Sequence, residues 1–174
     1  LFTLFVENTS LFSQFYTIMH FNRFDNVLKD TAQQVQYTRN EEALHAKVGI
    51  MLVNTLREEY PEFFDEELEE RIRSECEVAL EHEGRMVEWM LQGYEGERLS
   101  EDILKAYIKH RLNTSMKEIG FQPIEVTKEE AELEDKYYWM EEESLGVSLT
   151  DFFAKRPVEY GKANKAYSQE DIFG

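Results

Sequence analysis

The chain has 174 residues, 42% hydrophobic and 32% charged, with a formal net charge of −17. That length buries one good core, and the composition is globular rather than disordered. An acid excess of this size with no Lys/Arg cluster argues against nucleic acid as a partner, and most of it reads as a solvated surface.

Only three Pro and eight Gly are present, most Gly at candidate helix ends, so the expected fold class is all-α. The single cysteine, Cys76, excludes an internal disulfide framework and fits a reducing, cytoplasmic compartment. It falls on the apolar side of a helix and reads as a small core residue.

Residues 1–21 form a predicted helix that is apolar nearly all round, which implies burial. The opening run Leu1–Val6 is too short and too soon interrupted by Glu7 for a signal peptide or a membrane span, so no membrane is expected. With no initiating Met, residue 1 reads as the interior of a longer protein. Asn22–Asn26 carries turn chemistry and a possible N-cap. The second helix is predicted over 27–56, ended by Tyr60-Pro61.

A third helix begins near Asp65 with an acidic first turn and stops at Gly93. Its expected inward stripe is Leu68, Ile72, Cys76, Ala79, Met86 and Met90. The fourth starts at Ser100 as N-cap and carries Ile103, Tyr107, Ile108, Leu112, Met116 and Ile119. Four such helices with short links argue for a bundle. Residues 129–143 suggest a short amphipathic helix with a Tyr137-Tyr138-Trp139 insert. Residues 155–174 show little periodicity and read as a flexible tail behind a helical portion at 1–154.

Glu42-Ala43-Leu44-His45 is the one Glu-x-x-His of the chain, and its spacing of three puts both ligand types on one helical face. Glu7 lies on the preceding apolar helix, in line with Leu4, Leu11, Phe15 and Ile18. A carboxylate there is costly unless paired or bound to metal. If the two helices form an antiparallel hairpin turning near residues 24 and 25, facing positions sum to about 49, and Glu7 and Glu42 stand level roughly 26 Å from the turn. The three residues then read as half of a carboxylate-bridged dinuclear metal site. The alternative is a capping or ion-paired Glu7 beside a surface Glu42/His45 pair. His20, His82 and His110 lack a Glu three residues upstream and read as ordinary histidines.

The flanking residues resemble a known family. Arg39-Asn40-Glu41-Glu42-Ala43-Leu44-His45 is similar to the Arg-Asp-Glu-x-x-His region of the small, radical-generating subunit of class I ribonucleotide reductase. Val6-Glu7-Asn8 through Phe15-Tyr16 resembles that family's helix with a lone metal-binding Glu. Asp151-Phe152-Phe153 through Glu159-Tyr160 resembles the stretch before its flexible C-terminus. The match spans essentially the whole chain, as the C-terminal half of the usual subunit.

The resemblance implies a partial ferritin-like helical bundle in which Glu7, Glu42 and His45 ligate one of two metals, iron and/or manganese, with Glu42 bridging. It implies an apolar pocket at Leu11 and Phe15, and a relay acid at Glu41, one methylene longer than the family's usual Asp. Asn40 departs from the family's Arg-Asp-Glu order and leaves Arg39 without a clear counterpart.

Tyr160 would be the redox tyrosine that passes an oxidising equivalent to the large subunit, with Tyr167 off the motif. Ile172 and Phe173 would anchor the tail on that partner. Neither Trp89 nor Trp139 matches the family's relay Trp. The remaining ligands are expected from a companion polypeptide or segment carrying the N-terminal half, within a dimeric small-subunit assembly. Two rival readings stay open: another ferritin-like oxidase or hydroxylase, and a metal-free helical interaction module.

Overall fold

The computed structural model describes residues 3–148, with side chains from 5 to 142. Among the described residues every regular element is helical. The first helix opens as a π-helix, Thr3–Ser10, and runs on as α1, Leu11–Asp25. Then come α2 (Lys29–Glu59), a 3-10 turn (Pro61–Phe63), α3 (Glu66–Leu91), α4 (Glu101–Glu118), α5 (Lys128–Ala131) and α6 (Glu134–Ser148).

The first turn falls later than the turn chemistry suggests. Asn26 takes the left-handed conformation at φ 58°, and the N–H groups of Asn26 and Val27 close back on the carbonyls of Asn22 and Phe21. Asn adopts that conformation at little cost, so the helix ends there rather than at Asn22. Leu28 is also left-handed, at φ 55°. The caps read from sequence are in place: Asp65 accepts from the Leu68 N–H at 2.9 Å and Ser100 from the Ile103 N–H at 3.3 Å. The expected helix at 129–143 is instead two pieces. Thr127 and Glu130 form a reciprocal capping box for α5, and a tight turn at Glu132–Leu133, closed by the Leu133 N–H on the Glu130 carbonyl, separates it from α6.

The π segment and α1 occupy the middle, against α2 on one side and α4 on another, and α3 packs on α4. The apolar character of the first helix is thereby buried: Phe12, Phe15, Tyr16 and Met19 all lie in one core with Tyr107, Tyr137 and Trp139. The Tyr16 hydroxyl donates to the Arg98 carbonyl at 2.7 Å and accepts from the Trp139 indole N–H at 3.1 Å, so this buried phenol is satisfied.

A second core joins Ala46, Ile72, Cys76, Leu112, Met116 and Phe121. Burial pushes the Cys76 thiol up to about 11, which fits an inert core residue. The α3 stripe differs from the sequence expectation. Its buried row is Ile72, Cys76, Val87 and Leu91, with Leu80 packed between, while Met86 is 42% exposed. Glu83 and Gly84 interrupt the apolar pattern, after which Val87 and Leu91 form the buried row and Met90 packs partly buried beside it.

Near the far end of α2, the Arg57 guanidinium lies beside the stacked Phe64 and Phe121 rings, 4.8 and 4.7 Å from their centroids, and donates to the Ile119 carbonyl. This clamps the ends of α2 and α4 together. Compactness divides the chain into one unit of residues 1–141 and a second beginning at Glu142. Of the second unit, residues 142–148 are described, as the last turns of α6. No described helix is long and apolar enough to cross a membrane.

His20 is buried between Phe21 and Phe24, and its Nδ1 has no hydrogen-bond partner. Burial lowers its pKa from 6.5, against an opposing pull from Asp25. As pH falls, the unfolded chain therefore takes the proton first, and stability drops from the ordinary histidine range toward the lower folded value. His45, raised by Glu42, acts with the opposite sign in a neighbouring range. The measurement is thus the difference between the denaturation midpoints of wild type and His20→Gln against pH. Wild type is expected to lose more stability on acidification than the variant.

Candidate metal centre

Glu7 stands on the π segment; Glu42 and His45 stand one turn apart on α2. One donor atom from each comes within 4.8 Å of the other two. His45 Nδ1 is 3.0 Å from Glu42 Oε2 and 3.6 Å from Glu7 Oε2. Ligand bonds of about 2.0–2.2 Å at right angles place two donors roughly 3 Å apart, so the spacings suit one shared cation. The hydrogen bond to Glu42 is the main cause of a raised His45 pKa; the Glu42, Glu7 and Glu41 charges add to it.

The residues fit a metal on an observation independent of spacing. Glu7 Oε2 is buried and accepts no hydrogen bond. A carboxylate oxygen shut away from water without a donor is costly, and a cation removes that cost. The Glu7 and Glu42 side chains are 21% and 16% exposed, but His45 is 54% exposed. The site is therefore walled on the side of this chain and open on the side that His45 faces.

The register differs from the sequence estimate. With helix ends at Asp25 and Lys29, facing positions sum to 54 rather than 49. Glu7 is then nearer in level to His45 than to Glu42, with an offset of about 3 Å. The three still converge because Glu42 lies one turn before His45 on the same face.

A polar network behind Glu7 was not legible in the sequence. Asn8 Nδ2 donates to Ser115 Oγ at 2.8 Å, and Arg111 Nε donates to the Asn8 carbonyl at 2.8 Å. Arg111 also donates to Asn8 Oδ1 and pairs with Glu141 at 2.8 Å, its guanidinium lying over the Phe12 ring. These contacts hold the residue next to Glu7 against α4. They border a cavity of about 220 Å³ lined by Ala46, Lys47 and His110 among others. The only sequence hint was a polar Asn-Thr-Ser run after Glu7.

Of the other residues singled out from sequence, Phe15 is buried and Leu11 packs against the same core. Glu41 is exposed on α2. Arg39 is 2% exposed, with Nη1 3.4 Å from Met140 Sδ. Trp139 is buried and Trp89 is 70% exposed. His82 is exposed and His110 packs on Tyr137. Tyr160, Tyr167, Ile172 and Phe173 lie outside the described residues.

A lone Glu on one helix and a Glu-x-x-His on its hairpin partner give the described all-α structure a candidate ligand group of the type that ferritin-like carboxylate proteins use. Family comparison agrees: the ribonucleotide reductase small chain family matches residues 1–130, and the chain belongs to that family. It is 31% identical over 159 residues to the ribonucleoside-diphosphate reductase subunit beta of Chlamydia pneumoniae, covering 91% of this chain and 43% of that protein. It is 27% identical over 165 residues to a probable ribonucleoside-diphosphate reductase small subunit of Invertebrate iridescent virus 3, covering 94% and 42%. With the subunit beta of Aquifex aeolicus (strain VF5) the identity is 32% over 124 residues, covering 70% and 17%. The chain thus spans less than half the length of these relatives.

Because Asn8 supports the backbone beside Glu7, Asn8→Ala is expected to weaken metal binding about 10–100-fold with all three ligands intact. Titration with manganese(II) measures it, and circular dichroism checks that helix content is unchanged.

Proposed function

We propose that this chain supplies the C-terminal portion of a ribonucleoside-diphosphate reductase small subunit. In that role Glu7, Glu42 and His45 form half of a dinuclear iron and/or manganese site, completed by a companion polypeptide or segment that carries the N-terminal half. The observation that carries the reading is the convergence of three donors, one of them the buried Glu7 oxygen that accepts no hydrogen bond. Family membership and the spacing of the donors support it as well.

Iron or manganese held by carboxylates and imidazole supplies oxygen activation when bound. The work of this chain is then holding and shielding. Glu7 and Glu42 would neutralise cation charge, and His45 would add a neutral donor once its proton has left. Leu11 and Phe15 keep water from the π segment side. Glu41, exposed beside His45, relays the proton and electron. Tyr160 gives an electron toward the metal side and takes one from the large subunit, which reduces ribonucleotides to deoxyribonucleotides. Residues 155–174 form the docking tail, with Ile172 and Phe173 as its apolar anchor. The small subunit is dimeric and cytoplasmic on this reading, with Cys76 reduced.

The open side of the site favours a companion over a self-sufficient centre: His45 projects outward with no described residue to cover it. Reconstitution with the companion half is expected to give two metals per pair of chains, and Glu42→Ala to abolish this binding. Two tightly bound metals on each isolated chain would sink the companion half. Tyr160→Phe should keep metal binding and lose turnover with the large subunit; normal turnover would remove Tyr160 from the pathway. Deleting residues 156–174 should abolish large-subunit binding, whereas an oxidase of the same fold would be indifferent to that loss.

A further inference from the structure

The half-site has a symmetry that its role as one half of a subunit does not require. Dinuclear carboxylate sites in helical bundles take a Glu from each of two helices and a Glu-x-x-His from each of two others. This chain offers one of each, Glu7 and Glu42-x-x-His45. A second copy therefore offers the complementary set. A two-fold axis beside the site would bring together four carboxylates and two imidazoles, through an interface in which each copy presents the same patch.

The surface around the ligands suits such an interface. Beyond its buried side, α2 exposes Leu44 at 62%, Val48 at 52%, Met51 at 63%, Leu52 at 56% and Leu56 at 41%. His45, Val48, Leu52 and Leu56 follow one another at spacings of three, four and four, so the apolar stripe starts at the ligand and continues along its face. A helix apolar on opposite sides is built to be covered on both. Alternating spacings of four and three from Leu44 through Val48 to Met51 match the seam of paired helices.

Charge decides when the face closes. Each copy carries −17, so two copies repel, and the four Glu carboxylates at the axis would add to that repulsion. Two divalent cations neutralise the four carboxylates.

We infer that two copies of this chain pair through the open face of α2 around two divalent cations, held by Glu7, Glu42 and His45 of both copies. The pairing rests on the half-site reading of these residues, and it uses the same face as the companion half. A second copy and the companion therefore compete for it.

The test is sedimentation velocity of the 174-residue chain with EDTA and with manganese(II), together with metal analysis and electron paramagnetic resonance. Expected are a monomer in EDTA, and in manganese a dimer with one ion per chain and the spectrum of an exchange-coupled pair. Val48→Glu leaves every ligand in place at an exposed position and should weaken dimerisation tenfold or more; His45→Ala should abolish it, with helix content retained in both. A chain that binds manganese yet stays monomeric overturns the pairing and leaves the half-site standing. A dimer that persists in EDTA and in Glu42→Ala overturns it too, as apolar association without a metal. Absence of manganese binding under every condition, companion half included, removes the half-site and the pairing with it.

Discussion

The structure is arranged around one electrostatic constraint, a carboxylate on a helix that is otherwise core. Glu7 belongs to the element whose continuation supplies Phe12, Phe15, Tyr16 and Met19 to the main hydrophobic cluster. One of its oxygens is buried without a donor. An ionised group in that position is tolerated only beside positive charge, and the imidazole of His45, 3.6 Å away, is the nearest described source. In the absence of a metal, the protonated form of His45 is favoured by Glu42 and Glu7. The contacts of His45 Nδ1 with Glu42 at 3.0 Å and Glu7 at 3.6 Å bring the three side chains together.

The π winding of Thr3–Ser10 serves the same end. Such segments are rare and concentrate at functional sites, because the wider turn redirects side chains that an α-helix would send elsewhere. Here adjacent residues serve two neighbours. Glu7 turns to α2, while Asn8 is taken by Ser115 and Arg111 of α4. Arg111 in turn is fixed by Glu141 and by the Phe12 ring. Displacement of this irregular backbone would move Glu7, so the α4 contacts of Asn8 help to fix where that carboxylate stands.

What the sequence disclosed and what it hid follow from range. The carboxylate–histidine pairing was legible because it depends on a three-residue spacing and one buried acid, both local. Caps at Asp65 and Ser100 were legible for the same reason. The π segment was not, since the pattern of Leu4, Leu11, Phe15 and Ile18 is equally good in regular α-helix. Nor was the Asn8–Arg111–Glu141 network, whose members are more than a hundred residues apart at one joint and thirty at another. The late first turn was missed because Asn22 and Asn26 carry similar turn chemistry, and only the left-handed backbone at Asn26 distinguishes them. The α3 stripe failed at Met86, where Glu83 and Gly84 break the apolar repeat and Val87 turns inward instead.

The second apolar side of α2 has consequences beyond the site. Its five exposed residues from Leu44 to Leu56 are roughly half buried already, so covering them fully gains about 1 kcal/mol apiece, or on the order of 10 kcal/mol for two copies. The loss of rotational and translational freedom on association is about 4–15 kcal/mol, comparable in size. With −17 on each chain, apolar burial alone leaves such a face near balance, able neither to fold onto the chain nor to associate strongly. On the proposed pairing, coordination of a cation by Glu7, Glu42 and His45 would be the contribution that decides. Metal loading and the closing of the α2 face would then be one event, and a chain without its ligands would keep these apolar side chains exposed.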